Sequence, residues 1–85
     1  MYNTAQDYKC LVLLIHPDNR IITRIPCKTI ERGYELIKFE IPLRYNMFIT
    51  QDEFDRGVNE FTYTNIAYFK DSYSKYRLGL IRLQC

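Results

Sequence analysis

The chain is poor in the residues that usually announce chemistry. It has a single histidine, three cysteines, three glycines and almost no alanine, and its net charge is only +2. Each scarcity excludes something. The lone histidine, His16, precedes a proline in a turn. No nucleophile or orienting partner accompanies it as general-base chemistry would require, so it reads as a solvent-facing turn residue. The cysteines, Cys10, Cys27 and Cys85, are odd in number and form no C-x-x-C pair. That argues against a disulfide scaffold and against a zinc knuckle. A dedicated duplex-DNA binder concentrates far more positive charge than +2. The most apolar run, Cys10–Ile15, stops at His16-Pro17, well short of the ~20 residues that cross a bilayer. Neither a basic leader nor a small-residue cleavage site marks a signal peptide. The expectation is a soluble, cytoplasmic protein with no membrane partner, no cofactor, no metal and no catalytic residue.

What is present points to a sheet. The 85 residues suffice for one domain, which buries roughly 60–65% of the surface its unfolded chain exposes, so the core is thin. With alanine scarce, that core is filled by isoleucine, tyrosine and phenylalanine, which fit a pleated surface better than a helix. Residues Met1–Asp7 form a polar lead expected to fray. From Tyr8 the run YKCLVLLIH is apolar without alternation, the pattern of a strand covered on both faces or lying centrally. In HPDNR, Pro17 presets the first turn position, Asp18 suits the next, and Asn19 tolerates the left-handed conformation that closes a three-residue hairpin loop. The following RIITRIP alternates, with Ile21, Thr23 and Ile25 pointing one way and Arg20, Ile22 and Arg24 the other. A two-residue loop would set Cys10 opposite Cys27. A three-residue loop, the geometry Pro-Asp-Asn favours, makes them diagonal neighbours, close but not bonded. Pro26 cannot donate to a ladder, so this strand should end there or lie at an edge.

The segment 30–41 reads two ways. Ile30, Tyr34, Ile37 and Ile41 form a helical stripe, whereas Ile37, Phe39 and Ile41 alternate with Leu36, Lys38 and Glu40 as in a strand. Gly33 costs a helix interior ~1 kcal/mol relative to alanine, so the expectation is a strand over Tyr34–Ile41 ended by Pro42. ITQDEF is a clearer signal. Thr50 with Glu53 makes a capping box, Ile49 with Phe54 a hydrophobic staple, and Asp52, Glu53 and Asp55 suit the positive end of the helix dipole. Phe54, Val58 and Phe61 then define a buried stripe on a helix over Gln51–Phe61, and Gly57 beside it suggests close approach to the sheet. Beyond it, TYTNIAYFK and KYRLGLIRL flank the turn DSYS and read as a second hairpin. A competing helical face runs through Ile66, Phe69, Tyr73, Tyr76 and Leu80.

The fold class expected is therefore α+β: two hairpins and an intervening strand in one small antiparallel sheet, with one helix packed on one face. On the hairpin reading, Ala67 and Phe69 pack under the helix while Tyr68 and Lys70 face outward. Tyr68, Lys70, Tyr73, Lys75, Tyr76 and Arg77 then form a partner-binding patch. Tyrosine and arginine are enriched in protein hot spots, and a base stacked on an exposed ring contributes ~1–3 kcal/mol. The competing reading is that most of these tyrosines are half-buried packing residues. Asp52 and Asp55 make at most an acidic patch, since no histidine follows at i+4 and no calcium-loop pattern is present.

The bias toward Ile, Tyr, Phe, Asn and Lys, which A/T-rich codons encode, resembles the small accessory proteins of phages and mobile elements. Many of those bind and block a host macromolecule, including restriction or CRISPR effectors, in the host cytoplasm. That resemblance implies a non-enzymatic, stoichiometric interaction protein whose partner is a host protein or a protein–nucleic acid complex. A homodimer through an edge strand fits so small a sheet. The alternative function is single-stranded nucleic-acid binding on an aromatic and basic sheet surface.

Overall fold

The computed structural model describes residues 7–83; the polar lead at residues 1–6 and the terminal Cys85 lie outside the described residues. Four strands, β1 (Cys10–Ile15), β2 (Ile21–Cys27), β3 (Ile66–Lys70) and β4 (Arg77–Arg82), form one antiparallel sheet in the order β2-β1-β4-β3. Between the two hairpins come α1 (Ile30–Glu35), a π-helical segment (Leu36–Glu40), α2 (Ile41–Tyr45) and α3 (Gln51–Thr64). The helices cover one face of the sheet, giving the α+β class the composition implied.

β1 lies between β2 and β4, which is why its apolar run does not alternate. Cys10, Val12 and Leu14 enter the core under the helices, while Leu11, Leu13 and Ile15 point to the other face. The first hairpin loop has three residues, as Pro-Asp-Asn suggested. His16 N–H donates to the Arg20 carbonyl at 2.8 Å, and Asn19 takes a left-handed φ of 74°. The cysteines nevertheless sit directly opposite each other. A bulge between Leu14 and Ile15 makes Ile15 pair with Ile21 but Leu14 with Thr23. The extra residue, Ile22, shifts the register by one. Both thiols are free and buried, and burial, reinforced by its neighbour Cys27, pushes the Cys10 thiol up to about 12. Pro26 sits on an edge strand, where its missing N–H is tolerated.

The expected strand over Tyr34–Ile41 is instead helix, continuous from Ile30 to Tyr45. Two local features and one tertiary contact outweigh the local strand pattern. Thr29 caps the start, its Oγ1 accepting the Arg32 N–H at 3.0 Å. Gly33 is used for close approach: a Cβ there would lie 2.8 Å from Cys10 Sγ and 3.1 Å from Leu80. The wider π turn, in which Ile41 N–H reaches back to the Leu36 carbonyl, precedes Pro42 and lets the helix continue past a residue that would otherwise break it. The inward stripe of Gly33, Leu36, Ile37 and Ile41 is buried. Asn46, at φ 56°, ends the run.

α3 begins where the capping box placed it, with Thr50 Oγ1 accepting the Glu53 N–H at 3.0 Å. It extends three residues beyond Phe61, through Tyr63 to Thr64, so Thr62–Thr64 are helical and not part of the strand. Glu53 does not reach back to Thr50. Its carboxylate accepts the Lys70 backbone N–H at 2.8 Å and binds Arg56, because an unpaired strand-edge donor and a guanidinium outcompete the cap. Gly57 lets α3 rest on the Phe69 ring; a Cβ there would fall 2.2 Å from Cε2. Phe61, Phe69, Leu78 and Leu80 close the core with no exposed surface.

Candidate interaction surfaces

The second hairpin forms as expected, with Ala67 and Phe69 fully buried and Tyr68 exposed. Of the six residues proposed as one patch, Lys70, Lys75, Tyr76 and Arg77 line one groove with Pro17 and Asn19. Tyr68, Lys70 and Arg77 share the sheet face that no helix covers. Lys75 lies exposed in the loop before β4. Tyr76 turns toward the core, its ring meeting His16 edge-on at 5.2 Å. His16 is thereby half-buried, and its Nδ1 accepts the Asp18 N–H at 3.1 Å. Tyr73 stacks on Phe48 at 5.8 Å and 27°.

That last contact belongs to a surface the sequence reading missed. On the outer side of the π segment and α2, Phe39 and Leu43 stand four residues apart, 62% and 87% exposed. Beside them Phe48 and Tyr73 are 49% and 71% exposed. Together with Pro42 and Met47 they line a shallow apolar ridge. A groove of about 470 Å³ continues from it, lined by Leu14, Ile22, Tyr45, Met47, Tyr73 and Tyr76. Asp71 organises this corner. Its Oδ1 accepts the N–H of Phe48 at 2.7 Å and of Tyr73 at 3.2 Å, and its Oδ2 accepts the Ser74 hydroxyl at 2.6 Å. Ser72 N–H returns a bond to the Phe48 carbonyl. Burial alone would push the Asp71 carboxyl up, but these donors win and hold it below the usual carboxylate range. DSYS was legible as a turn; that its aspartate would bolt a loop 23 residues away in sequence was not.

The uncovered sheet face is chemically different. The strand registers align its side chains in rows across all four strands. One row is Pro26, Leu11, Ile81, Ile66; the next is Arg24, Leu13, Gly79, Tyr68; the third is Ile21, Ile15, Arg77, Lys70. Leu13 and Ile15 settle over Gly79, within 3.5 Å of where its Cβ would be. The Arg77 guanidinium lies 5.7 Å from the centre of the Tyr68 ring and bonds the Asn19 side chain. The β3 edge is closed by side chains from α3: Arg56 binds the Tyr68 carbonyl, Glu53 takes the Lys70 N–H, and the Thr64 hydroxyl engages Ile66. β2 is the edge left to strand addition.

Asp52 and Asp55 are exposed on the first turns of α3, Asp55 accepting from Gln51 Nε2 at 2.8 Å. Among the described residues no three His, Cys, Asp or Glu side chains are placed to share a metal ion, and no helix is long and apolar enough to cross a membrane. No family model, curated protein or solved structure matches the chain.

Proposed function

We propose that this is a small non-enzymatic interaction protein that acts by stoichiometric binding, occluding a functional surface of a host macromolecule such as a defence nuclease. The observation that carries the reading is the ridge of Phe39, Leu43, Phe48 and Tyr73. A small protein rarely leaves such large apolar side chains together in water unless they meet a partner. Aromatic anchors on a rigid support are the usual centre of a protein interface. Here the support is rigid for stated reasons: the helix is pinned by Gly33, and the loops carrying Phe48 and Tyr73 are bolted by Asp71. The composition, rich in the residues that A/T-rich codons encode, supports a phage or mobile element as the setting. A homodimer built by strand addition would form along β2, since α3 closes the β3 edge.

Affinity capture from the protein's own host, with the wild type and a Phe39→Ser, Leu43→Asp variant side by side, tests this. The expected result is one partner in about equimolar amount with the wild type and its loss with the variant, while the two proteins unfold at the same urea concentration. A partner retained by the folded variant overturns the ridge as the anchor. Sedimentation showing that the wild type self-associates through the ridge, and the variant does not, overturns the heterologous partner.

A further inference from the structure

The uncovered sheet face carries an inference independent of the ridge. Its charges have one sign. Arg24, Lys70 and Arg77 lie on it, and none of the positions in its three rows is a carboxylate. Three arginines off this face are matched: Arg20 pairs with Asp18, Arg32 with Glu35 and Glu40, Arg56 with Glu53 and Glu60. Among the described residues Arg24, Lys70 and Arg77 join no ion pair. Lys70 and Arg77 are moreover direct cross-strand partners, and like charges set opposite each other destabilise a sheet. The fold thus gathers positive charge around an apolar surface of Leu11, Ile66, Tyr68 and Ile81.

We infer that this face binds an acidic, amphipathic protein segment, a helix whose apolar stripe lies on the Leu11–Ile81–Ile66 row while flanking carboxylates meet Arg24, Lys70 and Arg77. Charge complementarity selects this occupant. A second copy of the chain would bring the three cations against their own counterparts with no carboxylate between them. A single strand of nucleic acid would find only one ring, Tyr68, for stacking, whereas base-binding sheets rely on several. The size also fits. Four strands at ~4.8 Å spacing span ~15 Å, which about three turns of helix cover.

The test is a titration of the isotope-labelled protein, read by backbone amide shifts. Three probes are used: a synthetic helical peptide with a leucine stripe flanked by glutamates, the same peptide with lysines for glutamates, and a single-stranded oligothymidylate. The glutamate peptide is expected to shift the amides of Leu11, Leu13, Gly79 and Ile81, and the lysine peptide to leave them unmoved. Arg24→Glu with Lys70→Glu is expected to weaken the glutamate peptide at least about tenfold and to admit the lysine peptide. Should that double variant fail to fold, Arg24→Gln with Lys70→Gln is read for the same loss. The inference is overturned by stronger shifts of this face with the oligonucleotide. It is equally overturned by concentration-dependent shifts without any probe, by shifts confined to the Leu43 ridge, or by none with the glutamate peptide. Because the ridge is untouched by these variants, the outcome leaves its own test unaffected.

Discussion

The two faces of the sheet are made by the same four strands, often by adjacent residues, and they obey different rules. The inner face, with Val12, Leu14, Phe69 and Leu80, is sealed under helices and leaves those side chains at most 1% exposed. The outer face alternates with it residue by residue, yet it keeps Tyr68 at 43% exposure and carries three cations that join no ion pair among the described residues. Packing decides the inner face, where any change of volume is felt. Water and the long side chains of arginine and lysine decide the outer one, where aliphatic stems cover apolar neighbours while the charged heads stay wet. In β1 the contrast is finest: Leu13 and Leu14 are adjacent leucines, one settled against Gly79 on the outer face, the other in the core.

Neighbouring substitutions break this comparison or sharpen it. The largest difference is expected at Phe69 and Tyr68. Phe69→Ala removes a fully buried ring and should cost about 3–5 kcal/mol. Tyr68→Ala, one residue away on the outer face, should cost no more than about 1 kcal/mol. Urea unfolding of both variants measures the gap, and equal losses would mean that the outer face is packed as tightly as the inner.

Next come two glycines. Gly57→Ala drives a methyl into the Phe69 ring, which stands 2.2 Å from the ideal Cβ, and should destabilise by about 1–3 kcal/mol. Gly79→Ala meets Leu13 at 3.4 Å, an ordinary contact, and should change stability by no more than about 0.5 kcal/mol.

The smallest contrast is electrostatic. The Asp71 carboxyl is held below its ordinary range by donors that win over the effect of burial. Glu53 is likewise held low, chiefly by its bond to Arg56. A depressed folded-state value stabilises the protein above the unfolded-state pKa, and that contribution is lost as pH falls through the folded value. Stability should therefore be flat from about pH 7 to 5 and fall below about pH 4. Asp71→Asn should cost about 1–2 kcal/mol at pH 7 and flatten the acid limb. Lys70→Gln, its outward neighbour, should be neutral or raise stability by a few tenths of a kcal/mol, since it relieves the pairing with Arg77. Melting temperature against pH for the three proteins reads all of this at once.

Much of the fold was legible because local signals agreed with it. Pro17-Asp18-Asn19 encoded its loop, Thr50 its cap, and the alternation of Ala67 and Phe69 with Tyr68 and Lys70 its faces. The signals failed where distant groups decided. The bulge at Ile22 has no mark in RIITRIP, yet it alone puts Cys10 opposite Cys27. Residues 34–41 carry both periods, and the choice fell to helix because Gly33 fits against Cys10 and Leu80. The candidate patch was half legible for the same reason. Tyr68, Lys70 and Arg77 follow from strand alternation. Tyr73 follows from a loop whose path is set by the buried Asp71, and Phe39 and Leu43 are visible as a pair only once the helix is known.

The amino-acid order by itself fixed the α+β class, the two hairpins, the start of α3 and the inward set of the second hairpin, because each depends on contacts or conformational preferences a few residues apart. Only the tertiary structure decided the helical state of 30–45, the alignment of the two thiols, and the gathering of Phe39, Leu43, Phe48 and Tyr73 into one ridge. Those features depend on which side chains are brought together from positions tens of residues apart, and that information resides in the packed core and not in any local window of the chain.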